Sequence, residues 1–302
     1  MAGRLSRLLV PFAFLTGAWA PLLADEAEWQ RQMDIALQSA ARQNYAASVA
    51  AFTAAIRELE MSNPNDHRLG PTINNLGLVY RAANNLPQAE AAFRRAMTYI
   101  EKTNSPQSID VGNSSLNVGS VLIAEGKYNQ AEPFLQKALG IYQKQFGDRS
   151  PKTGTVLAQI GEMYRGLHDY DTAEATLKKA IDVQEAASGI DNADVGNTLR
   201  SLAEVYAARN MMDKAEPRFK LVMTIREATA GMESQEFVDA AERYAQILEK
   251  MGRFQEAERH KKLAAAIRSM KKGQTPLQVD TPQQPKAAPA PGAKASAFAR
   301  LH

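Results

Sequence analysis

The side chains best suited to chemistry in this 302-residue chain are its histidines and glutamates, because it contains no cysteine. The lack of cysteine excludes disulfides, thiolate zinc sites and a cysteine nucleophile. A zinc site on a helix typically needs two histidines four residues apart, and the histidines here are widely separated. They are His67, His168, His260 and His302. We therefore predict no metal site.

Five glutamates recur at intervals of 42 residues and resemble a row of catalytic carboxylates. They are Glu90, Glu132, Glu174, Glu216 and Glu258. Glycosidic chemistry needs two carboxylates about 5 to 9.5 Å apart in one pocket, whereas one glutamate per repeat places them roughly 10 Å apart, the diameter of a helix. The positive start of a helix favours a carboxylate. We predict a structural role for these glutamates, and, since nucleotide-binding and hydrolase motifs are also missing from the sequence, no enzymatic activity and no cofactor.

Small residues around these glutamates follow the same 42-residue interval, which identifies a repeat. Each glutamate follows an alanine, from Ala89 to Ala257. A small residue stands twelve positions before each alanine, and another small residue or a valine stands seven positions after it. The first set is Gly77, Gly119, Gly161, Ala203 and Ala245, and the second is Ala96, Ala138, Ala180, Val222 and Ala264. We predict that helices cross closely here, so that a larger side chain would cost about 1 to 3 kcal/mol.

Apolar side chains flank these small residues at spacings of 4 and 7, as on one face of an amphipathic helix. Leu76 and Tyr80 show this in the first half of one repeat, and Leu86 and Phe93 show it in the second half. Each repeat therefore predicts two helices that form a hairpin. The turns are predicted at residues that tolerate a left-handed backbone. They are Asn84 and Asn85, Gly126 and Lys127, His168 and Asp169, Asn210, and Gly252 and Arg253.

Two features depart from the regular pattern. Pro133 and Pro217 follow the repeated Ala-Glu pair, and we expect them near the start of the second helix, where a missing N–H has no intrahelical partner to lose. A weaker unit, with Tyr45 and Phe52 in its second helix, precedes the other five and is one residue out of register. Such departures suit a terminal unit, which has one uncovered side.

The repeats resemble the tetratricopeptide repeat family, in particular the 42-residue repeats of kinesin light chains. The motifs that carry this resemblance are Asn75-Leu76-Gly77, Asn117-Val118-Gly119, Gly126-Lys127-Tyr128, the Ala-Glu-Pro runs at 131 and 215, and Gly147 to Pro151. With the predicted hairpins, the resemblance implies an all-α, right-handed superhelical solenoid of about six antiparallel hairpins that binds proteins or peptides. We expect the array to span 25–270, with hairpins at about 29–62, 71–103, 110–147, 152–188, 194–230 and 235–270.

The predicted binding surface is the concave groove formed by the first helices of the stacked hairpins. It is lined by Asn74, Leu78, Arg81, Asn113, Leu116, Ser120, Ile123, Thr155, Glu162, Arg165, Asn197, Arg200 and Glu204. The resemblance to kinesin light chains implies that Asn75 and Asn117 hold the backbone of an extended ligand, and Gln159 stands in the same column. An amide both donates and accepts, which suits a peptide backbone. In the alternative reading, these asparagines bond the neighbouring hairpin.

Residues 1–24 have the order of a secretory signal peptide: Arg4 and Arg7, then an apolar run, then small residues before acidic ones. We expect cleavage after Ala24, because Pro21 disfavours cleavage after Ala20. The alternatives are an uncleaved anchor, which needs about 20 apolar residues, and an organellar transit peptide, which is usually richer in arginine. We predict a periplasmic or secreted protein without a membrane span after removal of the signal.

The net charge of +3 lies at the two ends of the chain. Residues 1–24 carry +2 and residues 271–302 carry +4, which leaves −3 for 25–270. Nucleic-acid binding by the array is therefore not expected, since it depends on positive charge. The tail at 271–302 is rich in Pro, Ala, Gln and Lys and is predicted to be disordered. Its last apolar residues, Phe298 to Leu301, are either a docking motif or a frayed end.

These features predict an exported, non-enzymatic adaptor that binds a partner protein or extended peptide in its groove. The alternative is a structural assembly component that self-associates through its outer face or its C-terminal tail. The two hypotheses differ in the surface that is needed, because only the adaptor depends on the side chains of the first helices.

Overall fold

The computed structural model describes residues 20–189 and 192–271. This part of the chain consists of twelve helices joined by short turns and contains no strand. The helices are α1 Ala20–Ala41, α2 Tyr45–Ser62, α3 Leu69–Ala82, α4 Leu86–Thr103, α5 Ile109–Ala124, α6 Tyr128–Phe146, α7 Pro151–Gly166, α8 Tyr170–Ser188, α9 Ala193–Ala208, α10 Met212–Ala230, α11 Gln235–Lys250 and α12 Phe254–Lys271. They pair in sequence order, so the predicted all-α array of six hairpins is confirmed.

The chain forms two compact units that divide between Thr229 and Ala230. The first unit holds the hairpins from α1 to α10. Within it α2 contacts α3, α4 contacts α5, α6 contacts α7 and α8 contacts α9, so that each hairpin covers the apolar side of the next. The second unit holds the hairpin of α11 and α12, which buries Phe237, Tyr244 and Leu248.

The two helices of a hairpin approach closely at the predicted small residues. A Cβ atom added to Gly77 of α3 would lie 2.6 Å from the ring of Phe93 in α4. A Cβ added to Gly161 of α7 would lie 2.6 Å from Cγ of Leu177 in α8. In the fifth hairpin the matching Ala203 is fully buried. The prediction that these positions are small because helices cross there is confirmed.

A second column of small residues, which we did not predict, lies two turns earlier on α3, α5, α7 and α9. It consists of Gly70, Gly112, Gly154 and Gly196, again 42 residues apart. A Cβ at Gly70 would lie 2.5 Å from the side chain of Ile100, and one at Gly112 would lie 2.8 Å from the ring of Tyr142. The two helices therefore stay close over two turns, which fixes the angle between them more strongly than a single crossing point.

Each predicted turn contains one residue with a positive φ, which ends the first helix. These residues are Asn84 (57°), Gly126 (74°), His168 (61°), Asn210 (58°) and Gly252 (76°). Between hairpins, Gly147, Gly189 and Gly231 adopt φ of 85°, 73° and 85°, again at the 42-residue interval. The repeat therefore fixes the backbone both within a hairpin and between hairpins.

Side-chain caps mark the start of four of the first helices. Their residues are Ser108, Ser150, Asn192 and Ser234, and their oxygens accept hydrogen bonds from backbone N–H groups two or three residues later at 3.3, 3.1, 2.7 and 3.1 Å. A cap of this kind stabilises a helix by about 0.5 to 2 kcal/mol. The caps also follow the 42-residue interval, so the hairpins that begin with α5, α7, α9 and α11 start in the same way.

The expectation for the two prolines is wrong. Pro133 is the sixth residue of α6, and the N–H of Ala131 before it already donates to the carbonyl of Lys127 at 3.1 Å. The first turn of α6, whose N–H groups have no acceptor within the helix, has therefore ended before Pro133. Pro133 removes the backbone hydrogen bond that an N–H at position 133 would donate to the carbonyl of Asn129. Pro217 has the same position in α10. Because Asn129 is exposed, water can reach the unused carbonyl.

Most of the predicted signal peptide and tail lies outside the part of the chain that the structure describes. Residues 1–19 of the predicted signal peptide and 272–302 of the predicted tail lie outside the described residues. Helix α1 begins at Ala20 and so includes the last part of the 1–24 segment. Its side chains Trp29 and Met33 pack against the core of the first hairpins, and Ala36 is fully buried. Within residues 20–189 and 192–271, no helix combines the length and the apolar character that crossing a membrane requires.

Candidate functional site

The residues predicted to line the groove lie on α3, α5, α7 and α9, and we call the surface that they form from Asn74 to Glu204 the first-helix face. All of it belongs to the first compact unit. Each predicted residue is exposed or half-buried, so its polar atoms lie at the protein surface. Helix α5 contacts α7, and α7 contacts α9, so neighbouring first helices present one continuous surface.

At one end of this face, polar side chains join α3 to α5. The amide nitrogen of Asn117 donates to Oδ1 of Asn74 at 2.7 Å, and Arg81 donates to the hydroxyl of Ser120 at 3.4 Å. Asn117 therefore does what the alternative reading expected, because it bonds the neighbouring hairpin. Half-buried Asn75 makes no side-chain hydrogen bond within the described residues, so its amide stays available to a ligand.

Two asparagines near the start of their helices are held by residues of the second helix. Oδ1 of Asn113 accepts from the hydroxyl of Tyr142 at 2.5 Å, and Oδ1 of Asn197 accepts from the guanidinium of Arg226. Tyr142 and Arg226 are both buried. Both asparagines are exposed, and their amide N–H groups have no partner within the described residues. Each side chain is thus fixed through its oxygen and keeps two free donors.

A cluster of paired charges occupies the other end of the face, on α7 and α9. Nε of Arg165 lies 3.0 Å from Glu162 within α7, and Nη1 of Arg165 lies 3.6 Å from Glu204 on α9. Arg200 donates to Glu204 at 3.0 Å. Burial favours a raised pKa for Glu162, but the hydrogen bond from Arg165 and a further one from Ser201 outweigh it, so the pKa lies below its usual value. The cluster holds two cations and two anions, so it has no net charge.

Apolar side chains accompany the polar ones on α3 and α5. Leu78, Leu116 and Ile123 are half-buried and pack against the core. The hydroxyl of Thr155 donates to the carbonyl of Pro151 at 3.1 Å. Gln159 is half-buried and makes no side-chain hydrogen bond within the described residues. The structure therefore places apolar side chains among the polar contacts of α3 and α5, and a cluster of paired charges on α7 and α9.

Three of the repeated glutamates, Glu90, Glu132 and Glu174, bind the next hairpin, a contact that the spacing alone did not predict. Glu90 accepts from Lys127 at 2.6 Å, and Glu174 accepts from Tyr206 at 2.9 Å. Each donor lies 32 to 37 residues later in the chain, at the end of the following first helix or in its turn. The Lys127 bond, together with Arg94, lowers the pKa of Glu90 to about 2 against the effect of burial. Their pairing agrees with a structural role.

Metal-binding side chains are not grouped on the first-helix face. Within residues 20–189 and 192–271, no three side chains from His, Asp and Glu come together as a cation site would require. His168 lies in a turn, where Nδ1 is 2.8 Å from the hydroxyl of Tyr170. The chemistry that the face offers is hydrogen bonding through amides and contact with apolar side chains.

Comparison with protein families gives two matches, both described as tetratricopeptide repeat. One family model matches residues 110–186 and again 156–228, and the other matches residues 72–110. Together they cover residues 72–228, just over half of the chain. Among curated proteins, none matches the sequence.

Several solved structures share the fold. BtubC (BKLC) from P. vanneervenii is 18% identical in sequence. The match covers 86% of this chain and 99% of the BtubC chain, with a TM-score of 0.59. A putative kinesin light chain with nearly identical TPR-like repeats from Podosopora anserina is 17% identical. The match covers 68% of this chain and 97% of the kinesin light chain structure, with a TM-score of 0.54. Aspartyl phosphate phosphatase F from Bacillus subtilis is 16% identical, with 86% and 75% covered and a TM-score of 0.59. At such identities the similarity shows the fold alone.

Proposed function

Since the chain belongs to the tetratricopeptide repeat family, we propose that it is an exported adaptor that binds a partner protein or an extended peptide on its first-helix face. The fold of this family suggests a protein–protein interaction adaptor, and such repeat proteins are generally non-enzymatic scaffolds. The partner, the use of this particular face and the export are the parts that we add.

The observation that carries the proposal is the pair of fixed amides at Asn113 and Asn197. Buried Tyr142 and Arg226 hold the two amide oxygens, so little side-chain entropy is lost when the amide N–H groups bind a ligand. An N–H group that is exposed and held in place suits the carbonyl oxygens of a peptide backbone. A ligand recognised in this way is bound through its main chain.

The spacing of these amides indicates the length of the ligand. Asn113 and Asn197 stand at matching positions two hairpins apart. Neighbouring helices lie roughly 10 Å apart, so the two amides are separated by roughly 20 Å. An extended peptide advances about 3.3 Å per residue, so about six residues span both sites. The half-buried Leu116 lies about one turn after Asn113 on α5, so an apolar side chain near that end of the ligand would find a matching surface.

Site-specific photo-crosslinking tests the proposed surface. A photoreactive amino acid is placed at Asn113 or Asn197 in the native host, and matched controls carry it at exposed second-helix positions, Gln136 in α6 and Lys220 in α10. We expect both first-helix positions to crosslink the same partner, identified by mass spectrometry, and the control positions to crosslink it much less. Equal crosslinking at all four positions contradicts the proposal. Crosslinks to a second copy of this chain, found only from Gln136 or Lys220, would favour the self-assembling alternative.

Export is supported by the order of residues 1–24 and by the packing of α1. Among its described side chains, those in the core begin at Trp29, whose ring centre lies 4.7 Å from the guanidinium carbon of Arg68. Cleavage after Ala24 therefore leaves these core side chains in place. The intact mass of the protein purified from its native host should correspond to a chain starting at Asp25. A mass that includes Met1 would rule out cleavage.

A further inference from the structure

A cavity of about 420 Å³ lies between α2 and α4 and is also lined by side chains of α3. Its floor consists of Ile56, Ile73, Leu76 and Ala92, with Tyr80 at one wall. Arg57 and Arg95 stand at its rim. A volume of 300 to 1,000 Å³, apolar side chains and a few polar groups are typical of ligand-binding pockets. We call it the α2–α4 pocket.

The pocket lies where this repeat has alanine and two of the next three repeats have a large side chain. At the position of Ala92 the next three repeats have Phe134, Thr176 and Arg218. Phe134 packs against the core, and Arg218 lies with its guanidinium carbon 4.7 Å from the ring centre of Tyr206. Tyr80 matches Tyr206 in the repeat, yet Tyr80 is half-buried whereas Tyr206 is 1% exposed. The tyrosine ring that is covered in the later repeat is therefore uncovered beside Ala92.

The rim of the pocket has an excess of positive charge. Arg95 forms an ion pair with Glu60, which also accepts a hydrogen bond from Tyr99 at 3.2 Å. This neutralises Arg95. Arg57 is exposed and makes no ion pair within residues 20–189 and 192–271. A ligand that fills the pocket therefore meets one unpaired guanidinium, and a carboxylate is its natural partner.

We propose that the α2–α4 pocket receives a bulky apolar side chain from an acidic segment of a partner protein. The apolar side chain takes the place that Phe134 fills in the next repeat, and a neighbouring carboxylate pairs with Arg57. This contact lies between the second helices α2 and α4. The side chains that it uses from α3 are Ile73, Leu76 and Tyr80, which are not among the predicted groove residues, so it is a second interaction surface beside the first-helix face. The tail of the chain itself is unsuited, because residues 271–302 carry a net charge of +4 and would bring like charge to Arg57.

A peptide titration tests the pocket. The probe is a fluorescein-labelled, five-residue synthetic peptide with phenylalanine between two glutamates on each side, and binding to the full-length protein is followed by fluorescence anisotropy. One control peptide has alanine in place of phenylalanine, and another has lysines in place of the glutamates. We expect each control to bind about tenfold or more weakly, because it lacks the buried apolar group or the charge that pairs with Arg57. Equal binding of the phenylalanine and alanine peptides overturns the proposal.

Two protein variants separate the pocket from non-specific attraction. Ala92→Phe fills the pocket in the way that Phe134 fills the next repeat, and we expect it to abolish binding of the probe while the helical circular dichroism is unchanged. Arg57→Gln is exposed and should fold even if Ala92→Phe does not. We expect it to weaken binding several-fold and to reduce the salt dependence of binding, because the charge contact is screened by salt. The matched control is Arg149→Gln, in an exposed loop, which should bind as the wild type does.

Other outcomes identify other occupants. Wild-type affinity in Ala92→Phe, or in Arg57→Gln at low salt, shows that the probe binds elsewhere and overturns the proposal. Self-association of the wild type in analytical ultracentrifugation that is lost in Ala92→Phe assigns the pocket to a second copy of this chain. Neither result bears on the crosslinking from Asn113 and Asn197, so the two proposals stand or fall separately.

Discussion

Replacing Gly77 by alanine tests the close crossing of helices on which the array depends. An added Cβ would lie 2.6 Å from two ring carbons of Phe93 and 3.1 Å from a third. Ordinary contacts of such atoms are about 3.5 to 4.0 Å. Phe93 is fully buried, and its ring is rigid, so relief requires the whole ring or the helix to move. The substitution should therefore destabilise the first unit.

Two opposing effects set the size of the loss. Overpacking in a well-packed core costs about 1 to 3 kcal/mol, whereas alanine favours a helix by up to about 1 kcal/mol over glycine. We expect a net decrease of about 1 to 2 kcal/mol in the free energy of unfolding. The fifth hairpin has Ala203 and Phe219 at the matching positions, both buried, so a modest shift of the helices accommodates a methyl group and the variant should fold.

The matched control is Gly140→Ala in α6. Gly140 is helical and exposed, and an added Cβ would meet no atom within 4 Å. The same chemical change should there raise the free energy of unfolding by about 0.5 to 1 kcal/mol. Urea denaturation followed by circular dichroism compares both variants with the wild type. If Gly77→Ala is stabilising like Gly140→Ala, the reasoning from close packing is refuted.

Two further predictions concern burial and pH. Phe93→Ala should lower the free energy of unfolding by about 3 to 5 kcal/mol. Phe254→Ala, at a side chain 66% exposed, should change it by less than about 0.5 kcal/mol. Similar losses for the two variants in urea denaturation would contradict the burial of Phe93. Burial, with the charge of Asp182, raises the pKa of Glu185 from 4.5 to about 7. Between these values the folded state keeps a proton that the unfolded state has released, so stability should fall as the pH rises through this range and be fully reduced above about 7. Glu185→Gln should remove the contribution of Glu185 to the loss of stability between pH 5 and pH 8. If the pH dependence of unfolding were unchanged in this variant, the raised pKa of Glu185 would be refuted.

The hairpins and their turns could be predicted because the repeat keeps one residue type at each decisive position. The alanines from Ala89 to Ala257 and the turn residues from Asn84 to Gly252 follow the 42-residue interval. The column that begins at Gly70 carried the same signal and could have been found in the same way. Such columns recur because the same position in every hairpin packs against the same neighbouring helix.

The partners of surface side chains could not be predicted from spacing. Asn113 and Asn197 bond to Tyr142 and Arg226, which differ in type although they stand at matching positions. The spacing left open whether Asn117 holds a ligand or bonds the neighbouring hairpin, and its amide reaches α3. Such choices depend on side-chain rotamers and on the offset between neighbouring helices, and the pattern of residue types contains neither.

The α2–α4 pocket shows a different limit. In the sequence the cavity is visible only as Ala92 in a column that continues with Phe134, Thr176 and Arg218. The first hairpin is also one residue out of register, so the facing residues of α2 cannot be aligned with those of the later hairpins by counting. The structure was needed to show that Tyr80 stays uncovered there.

The joints between hairpins make the protein divisible. Gly147 and Gly189 have nearly the same backbone geometry, and each leads after three residues to a capping side chain, Ser150 or Asn192. Excision of residues 148–189 would therefore splice one joint onto an equivalent cap, and a tandem duplication of the same block would do the reverse. Gain or loss of whole blocks keeps the apolar interior closed, whereas any other length of insertion would not. An array of this kind can thus become longer or shorter by one hairpin at a time.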